Sequence, residues 1–175
     1  MQFIEVDNSL AVARIALQGA HVDWWRPKSV KQDVLWRSTS VRYEKGRSIR
    51  GGVPICWPWF GNHPTDKIKN FNLGIEKNYI TFNGEFDRAY TNTSNDCYIE
   101  DDKFNRVITV KKSNSNSTVV WTPGGEKAMT MGDMGEEEEW RRMVCVETTN
   151  LLENSVVIYP QLSHSIATEY SVQEY

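Results

Sequence analysis

The sequence predicts an all-β protein, built as an antiparallel β-sandwich. Short runs in which apolar and polar residues alternate with period two recur along the chain, and Asn, Asp, Gly, Pro or Ser bound them. Helical periodicity is almost absent, and many short strands joined by small turns are typical of a sandwich. A chain of 175 residues can pack around one core, so residues 1–175 are predicted to form a single domain.

Eleven segments carry the strand pattern, each as a short alternating or β-branched run next to turn residues. Three further stretches are predicted to be loops: Asp66 to Asn78, the hairpin turn SNSNS (Ser113 to Ser117), and the solvated, acidic Gly132 to Glu139. The predicted strands are Gln2 to Val6, Leu10 to Leu17, His21 to Trp25, Val34 to Trp36, Tyr79 to Phe82, Cys97 to Ile99, Arg106 to Lys112, Thr118 to Trp121, Met143 to Thr148, Ser155 to Tyr159 and Ser163 to Val172.

Charge and composition exclude several classes of function. The 20 basic and 23 acidic residues are scattered, so no basic stripe suggests a nucleic-acid partner. No window approaches the ~20 apolar residues that span a bilayer, and the first residues do not form a secretory signal, so we expect no membrane partner and a cytoplasmic location. The cysteines Cys56, Cys97 and Cys145 are widely spaced and form no metal-binding pattern, so reduced thiols, no metal and no cofactor are expected.

The densest chemical signal is the segment Ser48 to Gly61, SIRGGVPICWPWFG. Its paired glycines permit backbone conformations closed to other residues, and its prolines stiffen the path. Trp57 and Trp59 offer flat apolar faces on which a sugar can stack, and Arg50 offers a fork of donors that suits phosphate or carboxylate. The structural alternative is that the aromatic side chains pack in a β core while Arg50 pairs with a neighbouring acid.

This segment resembles the signature of the bacterial glucose-6-phosphate 1-epimerases (hexose-6-phosphate mutarotases), a branch of the aldose 1-epimerase, or galactose mutarotase-like, superfamily. The resemblance implies a β-sandwich of the mutarotase type, a hexose or hexose-6-phosphate ligand, and a place for Arg50 in the substrate pocket, which Trp57 and Trp59 would help to line. Similar segments occur in the family's order: Ala16 to Pro27 and Asp33 to Ser38 before this segment, and Thr81 to Tyr90, Val119 to Met134, Met143 to Asn150 and Ser163 to Val172 after it.

Glu147 is the carboxylate of greatest interest. Alternation along MVCVET puts it on the same strand face as Met143 and Cys145, where apolar neighbours would desolvate it and make it a better base near neutrality. The alternative is a glutamate at a strand end that reaches water. By resemblance, Glu147 corresponds to the family's catalytic general base, which removes the proton from the anomeric hydroxyl.

The family's catalytic histidine has no counterpart in this sequence. Its usual His-Thr-Tyr-Phe-like context is missing, as is a His-Gly-Phe-Ala-Arg-like segment that supplies a second substrate arginine. His21 and His164 match segments of structural standing in the family, so His63, just after the signature segment, is the candidate substitute acid, and the alternative for it is a turn or surface role. Only Lys67 to Ile80 connects the two ends, so the central part of the sandwich is expected to be truncated.

Three functions follow from these observations. The first is a binding protein for a sugar or a hexose phosphate, in carbohydrate metabolism, in which anomerisation is weak or lost. The second is a working isomerase, an aldose or hexose-phosphate 1-epimerase that uses a substitute acid, and the third is a non-catalytic interaction protein. Because an opened sandwich leaves strand edges and apolar surface uncovered, we also expect a homodimer whose interface includes Lys67 to Ile80 with Phe71, Leu73 and Ile75.

Overall fold

A computed structural model of the chain describes residues 1–57, 60, 73–74, 79–136 and 138–175. Within these residues, nine strands form three antiparallel sheets of three strands each, and one short α-helix accompanies them. The β architecture predicted from the alternating runs is therefore confirmed.

The elements are numbered in chain order. The sheets have the strand orders β1-β2-β3, β4-β7-β8 and β5-β6-β9. The strands are β1 (Phe3–Asp7), β2 (Ala11–Ala16), β3 (His21–Pro27), β4 (Phe86–Thr91), β5 (Cys97–Asp101), β6 (Arg106–Ser113), β7 (Ser117–Thr122), β8 (Cys145–Thr149) and β9 (Ala167–Glu174), and the helix is α1 (Gly124–Thr130).

The chain divides into two compact units. The first consists of Met1–Asn70 and Ala128–Met143, and it contains the sheet β1-β2-β3. The second consists of Phe71–Lys127 and Val144–Tyr175, and it contains the other two sheets. The first unit is thus built from two separate stretches of sequence, and the expectation of a single domain stays a prediction.

The first unit places a charged group in its interior. Ala16 and Asp23 are both completely buried, on β2 and β3 respectively. A register shift between Arg14 and Ile15 interrupts the pairing of these two strands. Such bulges re-aim side chains, and here the Arg14 side chain reaches Asp23 on the neighbouring strand.

The second unit is organised around its two central strands. β7 lies between β4 and β8, and five of its six residues are buried. β6 lies between β5 and β9, with Ile108 and Val110 buried on one face. On β9, Tyr170 shares this face because it pairs with Val110. Tyr170 also lies within electrostatic reach of Glu147 on β8, a strand of the other sheet in this unit.

Two elements escaped sequence-based prediction. β4 reads FDRAYT, and the face that packs inward carries the small residue Ala89, which is completely buried, so the apolar signal is weak. α1 has only seven residues, which is too short to show helical periodicity.

Three predicted strands are not strands in the structure. Val34 to Trp36 lies before a single isolated bridge, between Arg37 and Gly51. Tyr79 to Phe82 and Ser155 to Tyr159 form no bridges within the described residues. Val157 is 74% exposed, so the apolar run SVVIY did not identify a buried strand.

Candidate functional site

The paired glycines of the signature segment insert the backbone between two neighbouring chain segments. Gly52 N donates to Trp36 O at 2.8 Å, and Val53 N donates to Val22 O at 2.8 Å. Gly51 and Gly52 have φ angles of +113° and +67°, which favour glycine.

A methyl group would not fit at either glycine. A Cβ on Gly51 would lie 2.4 Å from Trp36 O, and a Cβ on Gly52 would lie 2.4 Å from Val22 O. The sequence Gly51-Gly52 is therefore required by the backbone itself, and it fixes the position of the preceding residue, Arg50.

Arg50 lies beside a carboxylate. Its Nε donates to Asp133 Oδ1 at 3.1 Å, and the two side chains are 29% and 25% exposed. Arg42 Nη2 donates to Gly132 O at 2.8 Å, so a second arginine holds the same loop. The pairing of Arg50 with a nearby acid matches the structural alternative raised from the sequence.

Asp133 is a residue of this site that sequence reasoning did not single out. It lies 83 residues from its partner Arg50, beyond the reach of any local pattern. The one available signal was its place in the segment Val119 to Met134, which the family resemblance had marked. A partly exposed guanidinium beside a carboxylate can bind a ligand that offers both an anionic group and a hydroxyl donor.

A buried charge network lies on β3, close to the backbone at Gly51 and Gly52. Arg14 donates to both oxygens of Asp23, at 3.1 and 2.6 Å, and Tyr43 Oη donates to Asp23 Oδ2 at 2.8 Å. Arg37 Nη1 is 3.6 Å from Asp23 Oδ2. Burial alone would raise the pKa of Asp23, but the hydrogen bonds from Arg14 and Tyr43 and the charges of Arg14 and Arg37 together hold that pKa below its ordinary value.

His21 supports the backbone at Gly51. Its Nε2 lies 2.7 Å from Gly51 O, and because a carbonyl oxygen only accepts, that nitrogen carries the proton. Burial lowers the pKa of His21, although the hydrogen bond to Gly51 acts in the opposite direction. The side chain is 5% exposed, so it stiffens the backbone that presents Arg50 and does not face solvent.

Glu139 corrects the expectation that Gly132 to Glu139 is simply a solvated loop. Its side chain is 2% exposed, and its carboxylate accepts hydrogen bonds from Ser38 Oγ at 3.2 Å and from Thr39 N at 2.9 Å. Gly135 N also donates to it. This carboxylate ties the returning segment to the chain just before the signature segment.

Glu147 lies on β8 in the second unit, where it pairs with Val119 of β7. It is half-buried, and Tyr170 and Cys145 lie near it. Burial first, and then the nearby Cys145 and Glu147, raise the pKa of Tyr170 to about 12. The expected face shared by Glu147 and Cys145 is therefore present, and its inward neighbour Tyr170 was not foreseen.

The other predicted site residues differ in their exposure and in whether the structure describes them. Trp57 is 70% exposed. Trp59 and His63 lie outside the described residues, so their roles stay predictions. Arg50 belongs to the first unit and Glu147 to the second.

Among the described residues, no three His, Cys, Asp or Glu side chains form a group that could hold a metal ion. No helix in the described part of the chain is long and apolar enough to span a membrane.

The fold is that of the mutarotases. A solved structure described as HI1317 matches with a TM-score of 0.74 at 21% identity, over 98% of this chain and 92% of that one. A candidate mutarotase from Salmonella typhimurium, YeaD, matches with a TM-score of 0.62 at 23% identity, over 83% of this chain and 82% of that one.

The family follows from the sequence comparison. The model for the aldose 1-epimerase family matches residues 62–171, so the chain belongs to that family. A protein of Escherichia coli named as a candidate glucose-6-phosphate 1-epimerase is 24% identical over 261 residues, covering 94% of this chain and 88% of the relative. A protein of the same name from Salmonella typhimurium is 48% identical over 61 residues, covering 35% of this chain and 20% of the relative.

Proposed function

We propose that this protein binds a hexose 6-phosphate through Arg50 and that its anomerisation of the sugar is weak or lost. The observation that carries the proposal is the position of the Arg50 guanidinium, which lies partly exposed beside Asp133 on a backbone that Gly51 and Gly52 constrain. The relatives named for glucose-6-phosphate 1-epimerase activity support a phosphorylated hexose as the ligand.

The proposed chemistry uses Glu147 as a general base. Its carboxylate accepts the proton of the anomeric hydroxyl, electrons move into the C1–O1 bond, and the C1–O5 bond breaks to open the ring. The ring oxygen must then receive a proton. In this proposal the family's histidine has no counterpart, so water supplies the proton in place of a general acid, which normally contributes about a hundred- to ten-thousandfold.

A shortened centre is part of this proposal. The alignment with the Escherichia coli relative extends over 261 residues, which is longer than the 175 residues of this chain. This difference in length supports the proposal that part of the relative has no counterpart here, and we place the shortening in Lys67 to Ile80, where the family's central strands would otherwise begin.

One experiment separates the three candidate functions. Exchange between the anomers of ¹³C-labelled glucose 6-phosphate is followed by NMR, alongside calorimetric titration with glucose 6-phosphate and with glucose. Binding with exchange above the buffer rate supports a working epimerase, and binding without exchange supports the binding protein. Absence of both at millimolar ligand contradicts the proposal and favours the interaction protein.

Two variants with matched controls assign the residues. Arg50→Ala should weaken binding of glucose 6-phosphate about ten- to hundredfold and leave glucose binding little changed, because a guanidinium–phosphate contact is charge-assisted. Arg47→Ala is the control, since Arg47 is exposed and pairs locally with Glu44. Glu147→Gln should abolish residual exchange, whereas Glu169→Gln, on exposed β9 surface, should not.

The interaction-protein alternative has one observation in its favour. Leu73, in the predicted interface, is 59% exposed, while Phe71 and Ile75 lie outside the described residues. Light scattering after size exclusion tests the homodimer: a mass near twice 20.2 kDa at micromolar concentration supports it, and a stable monomer contradicts it.

A further inference from the structure

A polar cleft of about 640 Å³ opens in the second unit at the turn between β6 and β7. Its walls are the SNSNS turn, the residues that follow β8 and the stretch that leads into β9. Ten of its eleven lining residues are polar or basic, and none of these eleven described residues is a carboxylate. The lining is therefore rich in donors and carries only positive charge.

The cleft is held open by an amide network. Asn150 Nδ2 donates to Asn114 O at 3.1 Å and to Asn154 Oδ1 at 3.0 Å. Asn114 Nδ2 donates to Ser165 O at 2.9 Å, which ties the hairpin turn to the opposite wall. These bonds cross between three separate chain segments, so the cleft has a defined shape before any ligand arrives.

Two basic side chains line this cleft. His164 Nε2 lies 3.0 Å from Asn150 Oδ1, and because an amide oxygen only accepts, His164 carries a proton on that nitrogen. Lys112 Nζ donates to Thr118 Oγ1. Burial lowers the pKa of Lys112, with nearby Cys97 acting in the opposite direction, so an anion beside the ammonium would offset the cost of its burial.

We propose that this cleft is a phosphate-binding site, formed by Lys112, His164 and the second amide hydrogen of Asn114, with Asn150 holding the walls in place, and distinct in its residues from the Arg50 site. A phosphate dianion presents three unprotonated oxygens that accept hydrogen bonds in several directions, and therefore matches a lining of ammonium, imidazole, amide and hydroxyl donors. A neutral sugar also needs acceptors for its own hydroxyl groups. Carboxylates are the strongest such acceptors, and the lining residues include none.

The source of the phosphate group can be free phosphate or a sugar phosphate. The full-length chain, labelled with ¹⁵N, is titrated separately with inorganic phosphate, glucose 6-phosphate and glucose. Saturable shifts of the Asn114 and Asn150 side-chain amide signals are expected with the first two and not with glucose. Equal affinities would identify the phosphate group as the whole ligand, and tighter binding of glucose 6-phosphate would identify the sugar ester.

Variants that change the charge of the cleft show whether the cleft is where phosphate binds. Lys112→Met should weaken phosphate binding at least tenfold, and Lys112→Arg should restore most of it. Lys111→Met is the matched control, because Lys111 is exposed and lies 3.9 Å from Glu169. If Lys112→Met lowers the melting temperature, phosphate binding is compared between the Lys112→Arg and His164→Gln variants instead.

The test of phosphate binding in the cleft is independent of the test of ligand binding at Arg50. Arg50→Ala should leave the phosphate-induced shifts of the asparagine amides unchanged. Loss of these shifts in Arg50→Ala, equal weakening in Lys111→Met and Lys112→Met, or no saturable shift at 20 mM phosphate would each overturn the proposal. Failure of glucose 6-phosphate to bind at Arg50 would leave the cleft result standing.

Discussion

Replacement of Gly52 by alanine tests how the signature segment is built. At φ +67°, an alanine has about 1–2 kcal/mol of unfavourable backbone energy. Its Cβ would also lie 2.4 Å from Val22 O and 2.7 Å from Asp23 Cα, both of which are backbone atoms that cannot rotate away. Overpacking of this kind costs about 1–3 kcal/mol, so the free energy of unfolding should fall by about 2–5 kcal/mol in total.

Gly46→Ala provides the control within the same unit. Gly46 has φ +81°, and a Cβ there would meet nothing within 4 Å, so only the backbone term of about 1–2 kcal/mol applies. Urea unfolding, followed by tryptophan fluorescence, measures both variants beside the parent protein. If the two alanines destabilise equally, the close approach at Gly52 does not contribute, and the argument that the glycines fix Arg50 fails.

Three further predictions concern the other described groups. Asp23→Asn should reduce the free energy of unfolding by about 3 kcal/mol at pH 7, because it leaves Arg14 without its counter-charge. Since the pKa of Asp23 is lowered by folding, its contribution is complete above the ordinary value of 3.8 and disappears as the pH falls through the folded-state pKa. The parent protein should therefore lose this stability below about pH 4, and urea midpoints between pH 2 and 5 should vary less in Asp23→Asn. Glu139→Gln should destabilise by about 1.5–3 kcal/mol through weaker bonds from Ser38 and Thr39, while the exposed Glu136→Gln should stay within about 0.5 kcal/mol; similar thermal melts for both variants would contradict the buried role. Exposed Cys56 should react with a thiol reagent well before Cys97 and Cys145, and mass spectrometry of peptides from a timed reaction would reveal any other order.

The local part of the fold could be predicted from the sequence because alternation reports directly on a half-buried strand. The run RVITVKK gave β6, and the alternating start of the chain gave β1 to β3. The apolar run SVVIY was wrongly predicted to be a strand, because apolar composition alone does not supply a partner strand. A strand exists only where another segment can take its backbone hydrogen bonds.

The site could be predicted only in part, because its decisive contacts join distant residues. The glycines beside Arg50 carried a visible backbone signal, whereas the acid that pairs with it lies 83 residues away. The run of four glutamates gave no indication of which carboxylate is buried. That choice depends on the donors at Ser38 and Thr39, about a hundred residues earlier.

The same separation of Ser38 and Glu139 affects how the protein is made. Ser38 and Glu139 are 101 residues apart, and the first unit needs both of them. At about 5–20 residues per second, a ribosome takes roughly 5–20 s to pass from one to the other. During that interval the nascent N-terminal sheet lacks the carboxylate that closes it, while the intervening strands emerge. Newly made chains should therefore be most sensitive to proteases and most dependent on chaperones in this interval, and slower translation between the two residues should lengthen the exposure.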